Sequence, residues 1–392
     1  MSEHAEVSEH AEARTYDVVL LGATGFTGRL TARYLAGRTA GTPLRVAIAG
    51  RDRARLEKVR AELEGEVDVE VVDVHDLVGL LDLAGRTRVL ATTVGPFARH
   101  GELVVQACAR QGTHYADITG EPGFVELIRS RYDGEAARNG VRIVPCCGFE
   151  SVPHDLGVRW TVEQLPEDVP LEIRAYVSAT GRPSGGTATS ALEAIASRDT
   201  GALTPPHSRH EGRRTGPLPL RIHRVPELGA YGVPLPTIDP AVVLTSARLS
   251  RRYGPDFRYG HYAQVHSPWM VGAGVAGVAA FGALASLAPT RALLRRALPK
   301  PGQGPSAQQR ATHHFTVTFL ARAAGTRLTT RVSGGDAAYD ETAKMLAEAA
   351  LSMAEDDAPT PAAGVLTPAV ALGEPYRRRL EQAGIRFEVV RD

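Results

Sequence analysis

An α/β fold is predicted, with an N-terminal doubly wound parallel sheet of Rossmann type and a C-terminal α+β domain whose sheet is expected to be antiparallel. Three observations carry this reading. An apolar run, Val18 to Leu21, breaks at Gly22 into a glycine-spaced turn and then a helical pattern from Arg29 onward. Strand-like and helix-like segments alternate up to Cys146, which is the pattern of a parallel sheet with crossover helices. Beyond Gly148 that alternation stops, and strand-like segments at 313–322 and 327–333 precede a helical pattern at 341–354.

The opening stretch, YDVVLLGATGFTG over residues 16–28, places a buried strand, a tight turn and a helix start in sequence. Small residues in such a turn let the main chain approach a pyrophosphate, and the helix N-terminus supplies N–H groups and a positive dipole end. Gly22, Gly25 and Gly28, with Thr24, Phe26 and Thr27 between them, are therefore candidate dinucleotide contacts. Their spacing is one residue longer between the first two glycines than in the commoner fingerprint. A bare strand–helix turn that binds nothing is the competing reading.

The segment 44–49 reads as a second strand ending at Gly50-Arg51-Asp52. At this distance from the turn an acidic residue would take the ribose hydroxyl of NAD, whereas a guanidinium would match the extra phosphate of NADP. Arg51 favours NADP. Asp52 is either a ribose ligand, which would favour NAD, or the cap of the next helix. A third strand at 67–72 ends at Asp73, near an adenine, and Asp76 caps a helix over 77–83. The fourth strand, 88–94, runs into Gly95-Pro96-Phe97. Thr93, Gly95, Pro96 and Phe97 thus stand at a strand's carboxyl end, where the nicotinamide half is expected. Helices at 102–111 and 124–139 and strands at 114–118 and 141–146 complete this domain. A helix at 156–164 and a strand at 171–178 follow, then a helix from Gly185 to Ala196. Residues 199–240, rich in Pro, Gly, Arg and His, read as an irregular excursion. The last segment, 364–392, gives a helix and a strand that pack back on the first domain. The expected division is a disordered tail at 1–14, a nucleotide domain at 15–150, an α+β substrate or dimerisation domain at 151–363 and the returning segment at 364–392.

Bulk composition narrows the function classes. The chain has 392 residues, too long for one core, and a net charge of +1, which provides no field for nucleic acid. Three cysteines cannot build a disulfide framework and fit a reducing, cytoplasmic setting. No metal site is read from the spacing. His4 and His10 lie in a twice-repeated SEHAE tail that reads as solvated. The stretch 269–288 is uncharged and is followed by Arg291, Arg295, Arg296 and Lys300. It reads as a buried or dimer-interface helix, as a helix on a membrane surface, or as a membrane span.

Taken together, GATGFTGRL, AGRDRARL, TTVGPFARHG, HYADITGE and CGFESVPHDL resemble the saccharopine dehydrogenase-like oxidoreductases. PLPTIDPAVV (234–243), RVSGGDAAYDETAKMLAEAAL (331–351) and GVLTPAVALG (364–373) are similar to that family's trans-acting enoyl reductase branch. The resemblance implies NADPH as cofactor and an enoyl thioester as substrate, carried on a polyketide synthase or acyl carrier. Two alternatives stand beside it: a saccharopine-type imine or carbonyl reductase on a small polar substrate, and a non-enzymatic NADP-binding protein associated with a membrane.

Reduction of an enoyl thioester needs a positioned hydride donor, donors toward the developing enolate oxygen and a proton source. Tyr115 and Asp117, two apart on a strand, share a face. With His154 at the domain crossover they are the catalytic candidates. A core tyrosine, a loop-shaping carboxylate and a domain-tying histidine are the competing readings.

Overall fold

The computed structural model describes residues 14–180, 208–210, 212–286, 290, 304–356 and 362–391. Two compact units emerge. The first comprises 1–119, 124–148 and 342–379, and the second 120–123, 149–341 and 380–392. Residues 1–13 of the expected tail and the helix at Gly185–Ala196 lie outside the described residues; Arg14, counted with that tail, donates to the Gly112 carbonyl at 2.7 Å.

The first unit is built on a parallel sheet of seven strands. In chain order these are β1 (Tyr16–Leu21), β2 (Val46–Gly50), β3 (Val67–Val71), β4 (Thr87–Thr92), β5 (His114–Asp117) and β6 (Arg142–Val144), then a late addition at Gly364–Val365. Their spatial order is 3-2-1-4-5-6, the doubly wound arrangement, with the late strand beside β6. Val18, Val19 and Leu20 are fully buried, as a strand covered by helices on both faces must be. Because strand order reverses between β1 and β4, the turn after β1 opens into the crevice at the carboxyl edge.

The helix Thr342–Glu355, expected in the second domain, belongs to the first unit. Glu348 on its inner face is fully buried, accepts from the Tyr34 hydroxyl and the Arg38 guanidinium at 2.7 Å each, and pairs with Arg379 at 3.6 Å. A carboxylate removed from water needs such partners, and three come from two other helices.

The second unit holds a nine-stranded sheet. Its described strands are β7 (Leu171–Ala179), β8 (Ser208–His210), β9 (Arg213–Pro217), β10 (His223–Val225), β11 (Ala230–Pro234), β12 (Asp256–Val265), β13 (Phe315–Ala323), β14 (Thr326–Gly334) and the C-terminal strand Arg386–Val390. The sheet is mixed rather than antiparallel throughout, because β12 runs parallel to both β7 and β9. The described part of 199–240 is not irregular: it contributes β8 to β11. These strands are three to five residues long, too short for periodicity to register. β13 and β14 form a hairpin on the two-residue turn Ala324-Gly325, with positive φ at both positions as a primed turn demands. The terminal helix returns to the first unit up to Arg379, whereas Arg386–Val390 pairs with β14 in the second.

The uncharged stretch is a helix, Pro268–Ser286, with Trp269, Met270 and Leu284 exposed at 79%, 59% and 44%. It is therefore not buried within the chain. No described helix is long and apolar enough to cross a membrane.

Candidate nucleotide site and a buried histidine cluster

The glycine turn is shaped by steric need at two of its three glycines. Gly22 has φ of +91°, and a β-carbon there would meet Val94 Cγ2 at 2.7 Å. A β-carbon on Gly28 would stand 2.1 Å from the Gly22 carbonyl oxygen. Gly25 is different: its φ is −73°, and an added β-carbon would touch nothing closer than 3.4 Å. The protein's own packing therefore does not demand glycine at that position, where a side chain would cover the main chain of the turn. Gly25 is the N-cap of the helix Phe26–Thr39, no side chain caps that end, and no acidic residue stands in its first turn. Main-chain N–H groups and an uncompensated dipole end suit a pyrophosphate.

The loop after β4 reaches the same turn. The Thr93 hydroxyl donates to the Gly22 carbonyl at 3.2 Å, and the Thr93 N–H donates to Leu21 at 3.0 Å. Gly95, Pro96 and Phe97 continue this loop, with the Phe97 ring buried against Phe124 at 5.9 Å. Thr24, Phe26 and Thr27 remain partly open beside Gly25.

At the end of β2 Arg51 is exposed, while Asp52 caps the next helix, its Oδ1 accepting from the Arg55 N–H at 3.1 Å. That cap gives the Asp52 carboxylate a task in the fold. Asp73 likewise accepts from the His75 N–H at 2.9 Å and shapes the turn after β3. His75, Arg99 and His100, which sequence spacing did not single out, come from the turn after β3 and the short helix Phe97–His100 after β4. His75 Nε2 lies 3.1 Å from His100 Nδ1. Burial, then the charges of His75, Arg99 and Arg51, lower the pKa of His100, against the opposing charge of Asp73.

Tyr115 and Asp117 do meet, but inside the core. Both are fully buried, and the Tyr115 hydroxyl donates to Asp117 Oδ2 at 2.7 Å. Asp117 Oδ1 accepts from the Thr119 and Cys146 N–H groups at 2.9 and 3.0 Å. Cys146 has φ of +65°, so this carboxylate holds a strained strand end in place. Burial, followed by the adjacent carboxylate, raises the Tyr115 hydroxyl well above its ordinary pKa. The cysteines Cys108, Cys146 and Cys147 are buried thiols.

In the second unit His154 lies in the first turn of the helix Val152–Glu163 and is 2% exposed. It meets Asp239, which opens the helix Asp239–Leu249, and His261 in the middle of β12. His154 Nδ1 is 2.7 Å from Asp239 Oδ1, and His261 Nε2 is 3.5 Å from Asp239 Oδ2. Burial lowers His261 to about 4, keeping it neutral near pH 7. Burial pushes the Asp239 carboxyl up, but the two imidazoles outweigh it and the net shift is downward. Neither Asp239 nor His261 stood out in the sequence.

A doubly wound parallel sheet with a glycine turn at its switch point defines a dinucleotide-binding domain. Residues 18–144 match the saccharopine dehydrogenase NADP-binding domain. A candidate trans-acting enoyl reductase of Mycobacterium tuberculosis is 39% identical, covering 97% of this chain and 99% of its own. The trans-acting enoyl reductase of Mycobacterium leprae is 35% identical over 95% of this chain and 97% of its own. The chain belongs to the saccharopine dehydrogenase-like family, within the branch of these trans-acting enoyl reductases. Saccharopine dehydrogenase from Saccharomyces cerevisiae shares the fold, with a TM-score of 0.54 at 13% identity over 95% of this chain and 99% of its own.

Proposed function

We propose that this protein reduces the carbon–carbon double bond of an enoyl thioester presented by a separate polyketide synthase or acyl carrier. When bound, NADPH supplies a hydride to the β-carbon, and the resulting enolate takes a proton at the α-carbon. The protein's share is to hold and orient. The main chain at Gly22, Gly25 and Gly28 and the helix end at Phe26 receive the pyrophosphate. Arg51 receives the 2′-phosphate and favours NADP over NAD. Thr93, Gly95, Pro96 and Phe97 flank the nicotinamide half. The turn at Gly25 carries this reading, since an added β-carbon there meets no protein atom closer than 3.4 Å and the protein's own packing does not demand glycine.

Tyr115 and Asp117 act by bracing the strand ends, not by touching substrate. Their mutual hydrogen bond and the N–H groups of Thr119 and Cys146 support that assignment. The exposed Trp269 and Met270 support a peripheral lipid contact through the helix Pro268–Ser286. Sedimentation with anionic vesicles, lost in Trp269→Glu, checks that contact.

The reaction is tested by NADPH oxidation with enoyl thioesters of increasing chain length, with saccharopine-pathway substrates in parallel. Turnover that rises with acyl length is expected. Turnover confined to the polar imine or carbonyl substrates overturns the proposal.

A further inference from the structure

Beyond the nucleotide site, the described residues bring one set of ligating side chains together in the second unit. His154, Asp239 and His261 offer two ring nitrogens and a carboxylate oxygen, all within 4.8 Å of one another. Each side chain is 2% exposed. They come from two helix starts and the centre of a strand, so three elements converge on one point.

The contacts within this set are not those of a finished hydrogen-bond network. His154 Nδ1 and Asp239 Oδ1 are 2.7 Å apart and attract each other as a close polar pair, yet neither atom is satisfied by a well-formed hydrogen bond. The two atoms are close, and with His261 they make a set of ligand atoms within 4.8 Å of one another. His154 Nε2 and the nearby Ser151 hydroxyl are also buried without a partner. Orphaned polar atoms in a protein interior are rare and each costs about 1–3 kcal/mol. The Tyr259 hydroxyl lies 3.3 Å from His261 Nδ1, which occupies that side of the ring and leaves Nε2 turned toward Asp239. A ring nitrogen oriented by an outer hydroxyl is how ligating histidines are held.

We propose that His154, Asp239 and His261 form a binding site for a divalent first-row transition ion, with zinc as the reference ion. Two imidazoles and one carboxylate are a donor set for such an ion and not for Mg²⁺ or Ca²⁺, which take oxygen. The ion would neutralise the buried carboxylate and pin the starts of two helices to β12. This is independent of the substrate assignment above.

The test uses the full, untagged chain. Metal content after gel filtration is measured by mass spectrometry, and Co²⁺ uptake is followed by its visible absorption. About one ion per chain is expected, retained in the double variant His4→Ala, His10→Ala, which excludes the tail. Asp239→Asn and His261→Gln should each lose it while NADPH binding by the first unit is kept. Tyr259→Phe, which retains all three ligands, should weaken Co²⁺ affinity about 10–100-fold. Absence of both bound metal and Co²⁺ uptake in the native chain overturns the proposal, as does full retention in Asp239→Asn and His261→Gln.

Discussion

The carbonyl oxygen of Gly22 stands 2.1 Å from the point where Gly28 would carry a β-carbon, so strand end and helix touch through main chain alone. Gly25, between them, has no such neighbour, with 3.4 Å to the same oxygen. The two kinds of glycine should fail differently. Gly28→Ala should destabilise the first unit by at least the ~1–3 kcal/mol of an overpacked core, read as a fall in Tm. Gly25→Val should leave Tm nearly unchanged and abolish NADPH binding measured by cofactor fluorescence. Retained binding in Gly25→Val would remove the pyrophosphate assignment of this turn.

Arg51 is exposed where β2 ends, and Asp52 beside it is engaged as a helix cap. Arg51→Glu should therefore weaken NADPH by about 10–100-fold, the worth of a charge-assisted hydrogen bond, and NADH by less than about threefold. Titration of both cofactors against the same variant decides this; equal losses would sink the phosphate role.

Tyr115 donates to Asp117 at 2.7 Å in a fully buried pair. If the pair braces the fold, Tyr115→Phe should lower Tm while kcat changes by less than about threefold. A general acid contributes about 10²–10⁴-fold, so a loss of that size with unchanged Tm would return Tyr115 to the chemistry. Asp117→Asn should be the more damaging, because one oxygen now receives two main-chain N–H groups and the other a hydroxyl.

Acid should weaken the first unit through His114. Its Nδ1 accepts from the Arg142 N–H at 3.1 Å. Burial, then Arg142, Arg14 and Arg88, hold its pKa near 3, against 6.5 when free. The unfolded chain therefore takes up the proton first. Relative to pH above 6.5, stability falls as pH drops toward 3, with a limiting slope of about 1.4 kcal/mol per pH unit. His114→Asn keeps an acceptor but no titration, and its Tm should decline less steeply over that range. Identical slopes in both proteins would refute the assignment.

Features set within about one turn or one strand were legible from the residues. The run Val18–Leu21 reads as a buried strand and is one, the glycines at 22, 25 and 28 read as a tight strand–helix turn, and Asp76 reads as a cap and accepts from Val78 and Gly79 at 3.1 Å each. These follow from sterics and hydrogen bonding between near neighbours. What the tertiary structure alone decided involves residues far apart in the chain. Glu348 joins the first unit because Tyr34 and Arg38 satisfy its charge, across more than 300 positions. His75 meets His100, and His154 meets Asp239 and His261, because separate elements converge. No local periodicity encodes such meetings: a buried polar side chain declares its role only through the partner that compensates it, and sheet order chooses that partner.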